Sequence, residues 1–171
     1  MPRDADLGRW RPDDYVPAGT VLWRGVKTAG DHVFVDKVRW NFSRPQRGQV
    51  IVFSTDGIRG LPPKIHYIKR LIGLPGETVS IEEPYVKIND KVLKEPGSIR
   101  KVAEQSRYRT IPPEPGAALD SPEKRIQLGA KDYFALGDNT GNSRDGRYWG
   151  AVPSANTVGP AVFVYWPLSA R

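Results

Sequence analysis

The 171-residue sequence contains no cysteine, which excludes disulfides and thiolate metal sites and leaves the redox compartment open. No stretch approaches the ~20 consecutive apolar residues that span a bilayer. The first fifteen residues, MPRDADLGRWRPDDY, lack the apolar core of a secretion signal. Neither an internal repeat nor a low-complexity tract is present. Histidine is scarce: His32 and His66 stand far apart and read as strand residues rather than ligands, so the sequence offers no metal site and calls for no cofactor.

What is present points to strands. Seventeen glycines and sixteen prolines separate short apolar runs, the signature of an all-β or mostly β chain with little helix. With 39% apolar residues, the chain is long enough for one core, or for a core with a small satellite domain. Strands are predicted near residues 20–26, 31–40, 48–54, 65–73, 78–81, 85–94, 131–136 and 158–166. The 85–94 segment reads as a hairpin turning at Asn89-Asp90. Residues 97–128, rich in proline, serine and charge, read as loop-dominated.

The net charge is +7 and the isoelectric point is near 9.7. Such a balance suits anionic lipid head groups, where each basic residue near the surface adds ~1 kcal/mol. Nucleic acid is disfavoured as a partner, because the basic residues are dispersed among strands and no nucleic-acid-binding signature accompanies them.

Residues 64–77, KIHYIKRLIGLPGE, place a lysine inside an apolar strand that runs into a Pro-Gly turn. Alternation puts Ile65, Tyr67, Lys69 and Leu71 on one face. Loss of water around an ammonium favours its neutral form, and full burial lowers a lysine by ~3–5 units, into the range of a working base. The competing reading is a lysine that lays its methylenes on apolar surface with its charge in water.

A second block, YFALGDNTGNSRDGRYWGAVP (residues 133–153), breaks from an apolar strand into a dense polar loop. Gly137, Gly141 and Gly146 permit tight backbone paths, and Asp138, Asn139, Asn142, Ser143, Asp145 and Arg147 supply hydrogen bonds that hold such a loop rigid. A third, GDHVFVDKVRWNFSRPQRGQVIVF (residues 30–53), reads as two strands joined by a turn around Arg44, Pro45 and Gly48.

Taken together and in this order, the three blocks resemble type I signal peptidases over roughly residues 28–166. The resemblance implies an antiparallel β core from residues 28–82 and 129–171, a small inserted cap of strand and loop at 83–128, and residues 1–27 as the tail of an upstream segment. It also implies a Ser-Lys dyad endopeptidase that cleaves signal peptides from preproteins, at the cytoplasmic membrane with its site on the extracytoplasmic face. Lys69 matches the general base and Ser143 the hydroxyl that orients it. Asp145 and Arg147 match an acid-base pair in the loop wall, and Gly137, Asp138 and Asn139 match the GDN turn. Gly146 departs from the family, which has serine there, and is expected to loosen the loop. Candidates for the substrate pockets are Val33, Phe34 and Tyr67.

The family's nucleophile lies in a box of the form S-M-x-P-T, and no segment of this chain matches it. Residues 17–29, at the expected place, contain no serine. Ser43, Ser54 and Ser80 read as turn or surface residues. The favoured expectation is a nucleophile upstream of Met1; the alternative is an inactive homologue that binds preproteins or a peptidase partner. Self-cleaving repressors use the same dyad but require a DNA-binding helical module, which the sequence lacks.

Overall fold

A computed structural model describes residues 32–111 and 116–166. The strand expected at 20–26 and the segment 1–27 lie outside these residues. Among the described residues there are ten strands: β1 (His32–Val35), β2 (Val50–Ser54), β3 (His66–Gly73), β4 (Thr78–Glu82), β5 (Tyr85–Ile88), β6 (Lys91–Val92), β7 (Ile126–Gln127), β8 (Asp132–Leu136), β9 (Val152–Pro153) and β10 (Thr157–Trp166). They form two sheets, a six-stranded one of order β1-β10-β2-β3-β8-β9 and a four-stranded one of order β6-β5-β4-β7, and every pairing is antiparallel. The mostly β architecture is therefore as expected.

Three local departures have physical causes. The strand expected over 31–40 stops at Val35, because the Asp36 carboxylate accepts from the backbone N–H groups of Val38 and Arg39 and starts a 3-10 turn at Arg39–Asn41. Residues 97–106 form a helix, α1 (Gly97–Ser106), where a loop was expected. Its Ile99, Val102 and Ala103, spaced i, i+3 and i+4, are all buried. The 85–94 hairpin forms with both turn residues at positive φ, Asn89 at 49° and Asp90 at 63°, which is the requirement of a tight turn matched to strand twist.

The core has two parts, one on each face of the β3/β8 ladder. Leu71, Tyr133 and Ala135 join Ile51, Phe53 and Val152 in one cluster. Ile72, Phe134 and Leu136 join Val79, Ile81, Val86 and Ile88 of the four-stranded sheet and the apolar face of α1 in the other. Each fully buried valine, leucine, isoleucine or phenylalanine among them contributes about 1.5–3 kcal/mol by leaving water. Strands β3 and β8 are thus pinned from both sides, and the candidate site grows from their ends.

Candidate active site

Lys69 sits in β3 with its backbone paired to Ile51 of β2, so the two side chains share a face. Its Nζ lies 5.7 Å from the centre of the Tyr67 ring and donates a hydrogen bond of 3.0 Å to Ser143 Oγ. Removal of water by these neighbours pushes the amine below the usual lysine value of 10.5; the attraction of Asp145 opposes that shift, Arg147 reinforces it, and Asp138 opposes it. A neutral lysine carries one lone pair, and with one N–H committed to Ser143 that lone pair has a restricted set of directions.

Ser143 follows the 3-10 turn Thr140–Asn142, which Asn139 closes by accepting from Asn142 N–H at 3.1 Å. Gly137 makes room for it. A Cβ there would lie 2.0 Å from Ser143 Oγ, so no larger residue fits while Ser143 stays in place. The Gly137 N–H in turn donates to Asp145 Oδ2 at 3.0 Å.

Asp145 and Arg147 form a forked pair, Nε to Oδ1 at 2.8 Å and Nη2 to Oδ2 at 2.9 Å, with side-chain exposures of 0% and 2%. Asp145 also caps the short helix α2 (Gly146–Trp149) by accepting from Arg147 N–H. The guanidinium donates onward to the carbonyls of Arg109, Thr140 and Ser143. The charges of this pair are thereby hydrogen-bonded, as buried charge requires. Gly146 does not loosen this loop, contrary to expectation. A Cβ there would meet the Phe134 ring at 2.6 Å and Ala135 O at 2.8 Å, so the missing side chain lets the loop pack directly on β8.

Asp138 plays a different part from Asp145: it is exposed and forms a second forked pair with Arg70, Nε to Oδ1 at 2.8 Å and Nη2 to Oδ2 at 2.5 Å, while Arg70 Nη1 donates to Gly48 O. The sequence reading passed over Arg70, whose partner is 68 residues away. It also passed over Thr140, which ties the loop to the segment after α1. Ser80, read as a turn or surface residue, is instead buried at 4% exposure in the middle of β4, opposite Lys87. Ser43 and Ser54 hydroxyls serve local turns, donating to Arg39 O and Asp56 Oδ2.

Lys69 and Ser143 open onto a cleft of about 300 Å³ lined also by His66, Tyr67, Ile68, Asn142 and Arg144. Of the three pocket candidates Tyr67 lines it; Phe34 instead stacks on Phe163 of β10, and Val33 of β1 pairs with Val164 of β10. A smaller hollow of about 110 Å³ beside Trp149 shares Arg144 but contains neither Lys69 nor Ser143. Among the described residues no three His, Cys, Asp or Glu side chains gather as a metal site would need.

Comparison with known proteins assigns the chain to a family. The profile of the family described as signal peptidase, peptidase S26, matches residues 26–166. The chain belongs to this family. It is similar to signal peptidase I of Leptolyngbya laminosa, with 35% identity over 158 residues, 91% of this chain and 68% of that protein. The probable signal peptidase I-2 of Synechocystis shares 30% over 155 residues, 90% of this chain and 62% of the other. A crystal structure of a signal peptidase I from Enterococcus faecalis aligns with a TM-score of 0.49 and 34% identity, over 70% of this chain and 98% of that one. The chain thus spans about two thirds of the length of these two sequence relatives. Among the described residues, no helix is long and apolar enough to cross a membrane.

Proposed function

We propose that the chain carries the base half of a Ser-Lys dyad in a signal peptidase I, a membrane-associated serine endopeptidase that removes signal peptides from preproteins. The observation that carries this reading is the Lys69 amine, desolvated and held at 3.0 Å by Ser143 beside an open cleft. In this reading Lys69 takes the proton from a serine supplied outside these 171 residues and later delivers it to the leaving amine. Ser143 orients the amine, and Gly137, Asp138, Asn139, Asp145 and Arg147 hold the loop that presents Ser143.

Within the same reading residues 28–82 and 129–171 are the catalytic core and 83–128 an inserted cap. The preprotein binds as an extended strand, with its backbone paired and small side chains near the cut. Anionic lipid meets the net positive chain at the cytoplasmic membrane, with the cleft on the extracytoplasmic side. The alternative reading is an inactive homologue that binds preproteins or a peptidase partner.

One experiment separates the two. The native gene product is isolated from membranes of its source and assayed on a preprotein, beside its Lys69→Ala variant. The dyad reading expects cleavage that falls to background in the variant. It also expects a rate that climbs with pH with its midpoint below the usual lysine value of 10.5, because only the neutral amine is a base. Binding without cleavage in both proteins would establish the second reading.

A further inference from the structure

The loop that presents Ser143 is gripped from outside the core. After α1 the chain turns at Arg107, at φ +52°, and runs beneath the 139–147 loop. The Thr140 hydroxyl, 4% exposed as a residue, lies 2.5 Å from Ser106 O and 2.7 Å from Arg107 O, so its single proton is shared between the two last carbonyls of the helix end. Two residues later Arg109 O accepts from Arg147 Nη1 at 3.0 Å. On the return path the N–H groups of Ala118 and Leu119 both donate to Arg147 O at 2.9 Å. Arg147 Nη2 closes the circuit by donating to Thr140 O at 2.8 Å.

We propose that Thr140 is a positioning residue: its hydroxyl latches the loop to the end of α1 and thereby holds Ser143 against Lys69. Ser143 lies between the latch at Thr140 and the Asp145–Arg147 pair, and no other part of the loop backbone between them is fixed by a strand. The Lys69–Ser143 contact bridges 74 residues of sequence, and it survives only while the loop keeps its height above β3. Removing the hydroxyl cuts the loop from the end of α1 and leaves the segment 139–143 tied to the wall only through Arg147, whose Nη2 donates to Thr140 O and Ser143 O. Water then reaches the amine. A valine has the shape of threonine without the proton, and a serine has the proton without the methyl, so the pair separates hydrogen bonding from packing.

The inference rests on Lys69 being the working base, and the test keeps the two apart. The titration of the Lys69 amine is followed by NMR in the full 171-residue chain, in Thr140→Val, Thr140→Ser and, as an outside control, Thr78→Val, whose hydroxyl bonds Gln127 in the smaller sheet. The charged groups facing the amine, Asp138, Asp145 and Arg147, are unchanged throughout. Thr140→Val is expected to raise the Lys69 value toward that of a free lysine by about half a unit or more, a roughly threefold loss of neutral amine at fixed pH. Thr140→Ser and Thr78→Val are expected to leave it in place.

A folded Thr140→Val with an unmoved Lys69 overturns the latch. An unaltered chain whose Lys69 titrates like an exposed lysine overturns the base reading instead. Should Thr140→Val not fold, amide exchange in the unaltered chain decides. The latch requires the 140–147 amides to open together with those of 106–109 and 118–119. Loop amides that exchange while the latter stay protected would refute it.

Discussion

Two aspartates of one loop, seven residues apart, each meet an arginine through a fork of two hydrogen bonds, and the two pairs do opposite work. Asp145–Arg147 is local in sequence and sealed from water, at 0% and 2% side-chain exposure. Asp138–Arg70 joins distant segments at the surface, at 47% and 15%. The buried guanidinium donates to Asp145 and to three carbonyls of the loop and the segment after α1, whereas Arg70 has Asp138 and one carbonyl, Gly48 O. Identical chemistry therefore yields a structural keystone in one place and a peripheral clasp in the other. Desolvation decides which, since it fixes what is left behind when one partner goes.

The comparison breaks most sharply at the buried pair. Asp145→Ala leaves a guanidinium without its counter-charge in a dry wall, and removes the acceptor for Gly137 N–H and the cap of α2. Equilibrium denaturation is expected to show a loss of about 3–5 kcal/mol, at the level measured for broken buried pairs. Asp145→Asn, which keeps an acceptor, is expected to lose less. A loss under about 1 kcal/mol for the alanine variant would put this pair in the same class as the exposed one.

How much of this the sequence disclosed follows from how local each feature is. The apolar alternation around Lys69 and the polar residues between Gly137 and Arg147 are short-range patterns, and both the strand and the loop lie where those patterns put them. The helix at Gly97–Ser106 was also written locally, in the spacing of Ile99, Val102 and Ala103, but the surrounding prolines and charges obscured it. Ser80 was misplaced because a small hydroxyl is tolerated inside a β pair and gives no periodic signal. The Arg70–Asp138 fork and the Thr140 latch join segments 68 and about 33 residues apart. Their geometry depends on how β3 and β8 pair, on register shifts that no single strand reports.

Gly137→Ala sharpens the comparison at an intermediate cost, because it leaves both ion pairs chemically intact and moves only what lies between them. The new methyl would lie 2.0 Å from Ser143 Oγ and 2.6 Å from its Cβ, so the serine must leave Lys69. Overpacking of this kind costs about 1–3 kcal/mol. Gly141→Ala, where a Cβ meets nothing within 4 Å, is the matched control and is expected to be near neutral. Thermal denaturation of the two variants side by side measures the difference. Equal stability would mean that the loop yields at Gly137 as readily as at its tip, and that the buried pair does not hold it.

The smallest effect belongs to the exposed clasp. Asp138→Ala deprives Arg70 of its fork but not of Gly48 O, and water reaches the carboxylate side of the pair freely. A loss of up to about 1 kcal/mol is expected, shrinking as salt rises, since ions compete for exposed charges within a Debye length of about 10 Å at 0.1 M. Asp145→Ala measured across the same salt series should change little, because its pair has no contact with the ionic atmosphere. Salt dependence therefore tests the cause of the contrast independently of its size. If both variants lose their penalty together as salt is added, solvent reaches the inner pair and burial is not what separates the two. If only Asp138→Ala responds, the loop is held by a charge pair that the solvent cannot screen, and Ser143 stands on that inner pair rather than on the outer one.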